Sequence, residues 1–116
     1  AAGHIIGCHT WDHHMVTKYT GDDWVRQVVK PRATLERITD SPVNYFAYPY
    51  GIWNEAAATR LEQYGFTAAF VLAGKGSNTQ PLFTIKRQIV DGNWPAGELL
   101  HYLAGRSRQK PAPVAM

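Results

Sequence analysis

Gly3-His4-Ile5-Ile6-Gly7-Cys8-His9-Thr10-Trp11-Asp12-His13 is the stretch on which the fold turns. Ile5 to Cys8 is a short apolar run between a Gly stop and a polar cluster, the pattern of a buried strand of about four residues. The histidine cluster occupies the loop just beyond that strand. His9 and His13 stand one helical turn apart if the segment is helical, so both imidazoles can meet one ion. Neutral imidazole nitrogen is the commonest protein ligand for zinc and also suits cobalt or nickel. A catalytic site of this kind adds a third protein ligand and keeps a position for water. No Glu follows His9, so this is not the zinc-peptidase pattern His-Glu-x-x-His. A loop that merely contains histidines is the alternative; placement directly after a strand favours the metal. Asp12 is either a partner that orients a His ring by accepting its N–H or a solvated loop carboxylate.

Outward from this stretch, Thr20-Gly21-Asp22-Asp23 has the chemistry of a turn and helix N-cap, with the acidic pair at a helix start. Val25, Val28, Val29, Ala33, Leu35 and Ile38 favour a helix from Trp24 to about Thr39, and Pro31 predicts a kink or break inside it. Asp40-Ser41-Pro42 ends that segment. Val43 to Tyr48 is aromatic and β-favouring, and Pro49-Tyr50-Gly51 stops it. Asn54 is an N-cap for a helix from Glu55 to Tyr64, closed by Gly65. Phe66 to Val71 reads as the next buried strand, and Lys75 to Thr79 as an exposed loop. Phe83 to Val90 reads as a loop leading into a strand, and Pro95 to Leu103 as a last short helix. The alternation gives an α/β fold with parallel strands joined by helical crossovers, either an open sheet or part of a barrel. In both, residues just beyond the C-terminal ends of strands form the default active site. His9, His13, Tyr50 and Trp53 all fall there.

With 116 residues, 45% of them apolar and 18% charged, the chain has the composition of a globular protein of about one domain. No run approaches the roughly 20 apolar residues of a membrane span. The net charge of +3 is small, and Arg106, Arg108 and Lys110 belong to a Pro- and Ala-rich end, so a nucleic-acid partner is not indicated. Cys8 is the single cysteine, which rules out an internal disulfide. Ala1 to His4 looks like the last turn of a helix and its Gly stop, entered part-way. Domain residues are expected over 1–104 and a flexible tail over 105–116.

The quoted stretch resembles the second motif of the polysaccharide deacetylases, the NodB-homology group of carbohydrate esterases, in which a Gly-His-x-Ile-Gly strand leads into His-[Ser/Thr]-x-x-His. Phe46-Ala47-Tyr48-Pro49-Tyr50-Gly51 resembles their third motif. Tyr64 to Ala69 is similar to the strand start that follows, and Ile85 to Val90 to a later strand in which an Arg follows a loop. The resemblance runs from about Ala1 to Leu103. It implies a partial distorted (β/α) barrel and metal-dependent removal of acetyl groups from N-acetylated sugars in a polysaccharide or oligosaccharide. It implies His9 and His13 as metal ligands, zinc first, and Thr10 as the residue steadying the second histidine. Tyr50 would supply an oxyanion-stabilising N–H, Pro49 would shape that turn, and Trp53 and Tyr48 would line the sugar groove; Trp94, after the last strand, either lines that cleft or turns the chain. A bacterial cell-envelope or secreted location follows from the same resemblance.

Two departures stand out. The family's first motif, an Asp-Asp pair ending an early strand, supplies a metal ligand and the catalytic base, and no Asp-Asp follows a strand here. The chain therefore reads as the C-terminal portion of the domain, completed by an upstream segment or by partner chains in a homo-oligomer. Ala47 stands where the third motif commonly begins with Arg; Arg87 either replaces that charge or is a surface strand residue. A truncated, non-catalytic sugar-binding or structural remnant is the competing reading.

Overall fold

The computed structural model describes residues 3–106, except the side chain of Arg106. Strands β1 (Tyr45–Ala47), β2 (Ala68–Val71) and β3 (Ile85–Lys86) form one sheet in the order β1-β2-β3, with both pairings parallel. Tyr45 is opposite Ala68, and Phe70 is opposite Ile85. The sheet is not closed among the described residues. This is the expected α/β architecture, an open segment of parallel strands with helical crossovers.

The expectation of a strand over Ile5–Cys8 is corrected. Only Cys8 pairs, as a single parallel bridge to Phe46. Its N–H donates to Tyr45 O at 2.8 Å, and its carbonyl accepts from Ala47 N–H at 2.9 Å. Ile5 and Ile6 are 74% and 45% exposed, so the burial that would hold the run against the sheet is missing. Within the loop and strand expected over Phe83–Val90, the strand is β3, entered through a 3₁₀ turn at Pro81–Phe83.

Side chains of successive strand residues alternate between faces. Cys8, Phe46, Tyr48, Ala69 and Val71 point into the core, where they meet Val28, Ala57, Ala58 and Leu61 from the helices. Ile5, Gly7, His9, Tyr45, Ala47 and Phe70 fall on the other face and line an open apolar groove of about 470 Å³.

The helices follow their caps. In helix α1 (Gly21–Trp24), Asp23 Oδ2 accepts from the Thr20 N–H at 2.8 Å and from its hydroxyl at 3.0 Å, so the acidic pair does serve a helix start. Pro31 produces no break. A π-type segment, Val25–Val29, leads without interruption into α2 (Lys30–Thr39). A proline lacks an N–H and crowds the carbonyl four residues back, here that of Gln27. The wider turn, with Lys30 N–H reaching Val25 O, accommodates both problems. The buried face is Trp24, Gln27, Val28 and Pro31, whereas Val25, Val29 and Ile38 are exposed, so the apolar stripe expected from the sequence is rotated. In α3 (Glu55–Gln63), Asn54 Oδ1 accepts the Ala57 N–H at 2.8 Å. Gly65 closes it at φ +87°. Helix α4 (Ala96–Arg106) runs past Leu103 and through Gly105, where the tail is expected to begin; residues 107–116 lie outside the described residues. Among the described residues no helix is long and apolar enough to cross a membrane.

Candidate metal centre

The histidine loop leaves the sheet at Cys8, and two backbone reversals shape it. Thr10 and His13 both sit at φ +68°, in the left-handed region that costs a non-glycine residue about 1–3 kcal/mol. The Thr10 hydroxyl accepts the His13 N–H at 2.9 Å. The result brings the rings of His9 and His13 to 4.7 Å between centroids, edge to face. His9 Nδ1 lies 2.7 Å from Ala47 O, a carbonyl that can only accept, so the ring's proton is on Nδ1 and its Nε2 lone pair is free. Burial, then the charges of His13 and Arg87, hold His9 below the ordinary imidazole value, against the opposing effect of the Ala47 hydrogen bond. A neutral imidazole is the ligand-competent form.

On the other side, Pro49–Gly51 form a 3₁₀ turn in which Tyr50 adopts φ 60°, ψ 7°. Its ring packs on His13 at 4.5 Å between centroids. The turn is tight: Gly51, at φ +69°, has no room for a Cβ, which would come within 2.7 Å of Leu72. The Tyr50 N–H lies in the first turn of this short helix, where N–H groups have no intrahelical acceptor.

The other residues singled out in the sequence sort differently. Asp12 turns away from the His9–His13 pair. Its Oδ1 accepts from the ring of His14 and from Gln27 Nε2. Burial works to raise the Asp12 carboxyl, and these two hydrogen bonds with the His14 charge outweigh it, holding the group below the usual carboxylate range. Tyr48 is corrected from groove residue to core residue. It is fully buried, on the same strand face as Phe46, and its hydroxyl donates to Phe83 O at 2.9 Å. Trp53 packs half-buried against the core, and Trp94 packs on Tyr102 of α4; neither lines the groove beside His9. Arg87 reaches behind the Pro49 turn, where Nη2 donates to Tyr48 O at 2.8 Å and Nε to Val71 O at 3.3 Å. It braces the strand ends that carry the turn.

Sequence reasoning passed over Gln27. A polar residue at the i+3 position from Trp24, on a helix face otherwise apolar, is the signal that could have found it. It is 3% exposed and bonded to the histidine loop. Among the described residues no group of three or more His, Cys, Asp or Glu gathers to hold a metal; the site consists of the two imidazoles.

Solved structures that resemble the chain include the following two. BC0361, a polysaccharide deacetylase from Bacillus cereus, superposes with a TM-score of 0.66 at 21% identity over 82% of this chain. BA0330 of Bacillus anthracis, assigned to the same group, gives 0.65 at 21% identity over 80%. This chain spans 30% of each of them, and the likeness shows a shared fold. The curated proteins include no match to it. The sequence profile of the polysaccharide deacetylases matches residues 1–69, the part that holds the histidine loop, β1, the Tyr50 turn and α3. The chain belongs to the polysaccharide deacetylase family.

Proposed function

We propose that the chain carries the two-histidine part of a divalent-metal site that removes acetyl groups from N-acetylated sugars in a polysaccharide or oligosaccharide. The observation that carries this reading is the pair itself: rings 4.7 Å apart, with Nδ1 of His9 committed to Ala47 O. Two imidazole donors fit zinc, and also cobalt or nickel. When bound, such an ion polarises a carbonyl and lowers the pKa of water. The chain's own residues supply the surroundings. The Ala47 carbonyl fixes the His9 ring, and the Thr10 hydroxyl holds the backbone of His13. The N–H of Tyr50, beside His13, is the donor for the oxyanion of the acetamide carbonyl. Pro49 and Arg87 hold the turn that presents it.

Zinc calorimetry on the wild type should find one bound ion, with affinity at least tenfold weaker in His9→Ala or His13→Ala. Wild-type affinity in the double variant overturns the proposal. Acetate release from N-acetylglucosamine oligomers is to be measured on this polypeptide alone and with whatever residues its coding sequence places before Ala1.

A second reading, a non-catalytic sugar-binding or structural domain, draws on the absence of a third ligating side chain among the described residues. Saccharide binding that is indifferent to zinc, without acetate release in either form, is its signature.

A further inference from the structure

Gln27 makes contacts that the packing of its own helix does not require. Its Oε1 accepts from two consecutive backbone groups of the histidine loop, Trp11 N–H at 3.1 Å and Asp12 N–H at 3.3 Å. Its Nε2 donates to Asp12 Oδ1 at 2.6 Å. The amide orientation is determined by its partners: reversed, an NH₂ would face two N–H donors and an oxygen would face a carboxylate. The residue is 3% exposed, and its polar atoms have partners, so both ends of this link lie on one small, nearly buried group. It belongs to the π-type segment Val25–Val29, the local widening that Pro31 imposes, and π segments recur at functional sites. The peptides it grips lie between Thr10 and His13, the two left-handed residues that turn the loop back on itself. Gripping Asp12 also directs that carboxylate toward His14 and Gln27 rather than toward the ring pair.

We infer that Gln27 is a positioning residue for the His9–His13 pair, fixing the Trp11–Asp12 segment so that the two rings converge. Its relevance to metal rests on the reading proposed above, but the geometric claim can be tested without metal. Amide hydrogen exchange and ring-to-ring nuclear Overhauser effects are measured on the metal-free wild type, Gln27→Ala and Gln27→Met. Methionine keeps the volume and helix propensity should alanine fail to fold. In the variants the Trp11 and Asp12 amides should exchange at least tenfold faster, while the Thr67 and Tyr48 amides within the sheet keep their protection. The His9–His13 ring contact should weaken or vanish. Unchanged exchange at Trp11 and Asp12, or an undiminished ring contact, overturns the inference. Zinc titration is the separate arm. A drop of about tenfold or more in the variants extends the role to metal affinity. Wild-type affinity in the variants confines Gln27 to the geometry of the loop and overturns the extension to metal affinity. No zinc binding by the wild type removes the metal reading and leaves the loop measurements to decide on Gln27.

Discussion

At the scale of single residues, the site is built from backbone conformations that most side chains avoid. Thr10, His13 and Tyr50 all lie at positive φ, and their strain is offset by local bonds and by packing of the turn against Leu72. Gly51 shows how little slack remains. Gly51→Ala adds a Cβ within 2.7 Å of the Leu72 backbone in a left-handed residue, so a loss of about 2–4 kcal/mol is expected from the urea midpoint. The Tyr50 ring contact on His13 should loosen with it. A variant as stable as the wild type would mean that the turn relaxes freely. The chemistry of this region was legible in the sequence, because His-x-x-x-His and Pro-Tyr-Gly are local patterns. The side on which each aromatic falls was not legible. Tyr48 and Tyr50 are two residues apart, yet one is fully buried and the other 58% exposed, because the chain leaves the strand between them.

At the scale of elements, caps were readable and helix faces were not. Asn54 and Gly65 bound α3 as expected, since a cap needs only nearby backbone groups. The stripe on the longer helix is misjudged when Val25 and Val29 are read as core on hydropathy, whereas the buried residues Trp24, Gln27, Val28 and Pro31 keep ordinary helical spacing and include an amide. Gln27 is passed over when a polar side chain on that face is not counted as buried. The start of α1 yields a pH prediction. The Asp23 carboxyl is held below the usual carboxylate range by the Thr20 N–H first and the Thr20 hydroxyl next, against partial burial, with Arg26 adding its charge. A folded-state value below the unfolded one means the native state binds fewer protons, so the contribution is fully present above the unfolded value of about 4 and declines below it until pH has fallen through the lower folded-state value. Asp23→Ala should therefore lower Tm at pH 7, and the difference from wild type should close below about pH 4. A gap that persists in acid would assign the effect to something other than the carboxylate.

At the scale of the whole molecule, the described residues cover the sheet on one face only. Parallel sheets generally have both faces packed. Here Ile5, Tyr45, Phe70 and their neighbours line a groove open to solvent. The fold class was legible from the alternation of elements, but the extent of pairing was not. Pairing near Ile5 depends on what covers that face, and sequence periodicity does not carry that information. The bare face predicts concentration-dependent self-association of the isolated chain. Sedimentation should show an average mass that rises with concentration, and Ile5→Lys, placing a charge at a 74% exposed position, should reduce that rise. Identical, concentration-independent monomers for both proteins would refute it. The join between sheet and loop has one more consequence. The bonds flanking Cys8 set a parallel ladder in which the next rung, onto Ala47 O, would fall to the Thr10 N–H. Thr10 turns away, and the His9 ring takes that rung instead. The imidazole's proton is thus assigned by strand register, through an atom common to every amino acid. The side chain at position 47 takes no part in that bond, whereas a slip of one residue in the pairing would release it at once.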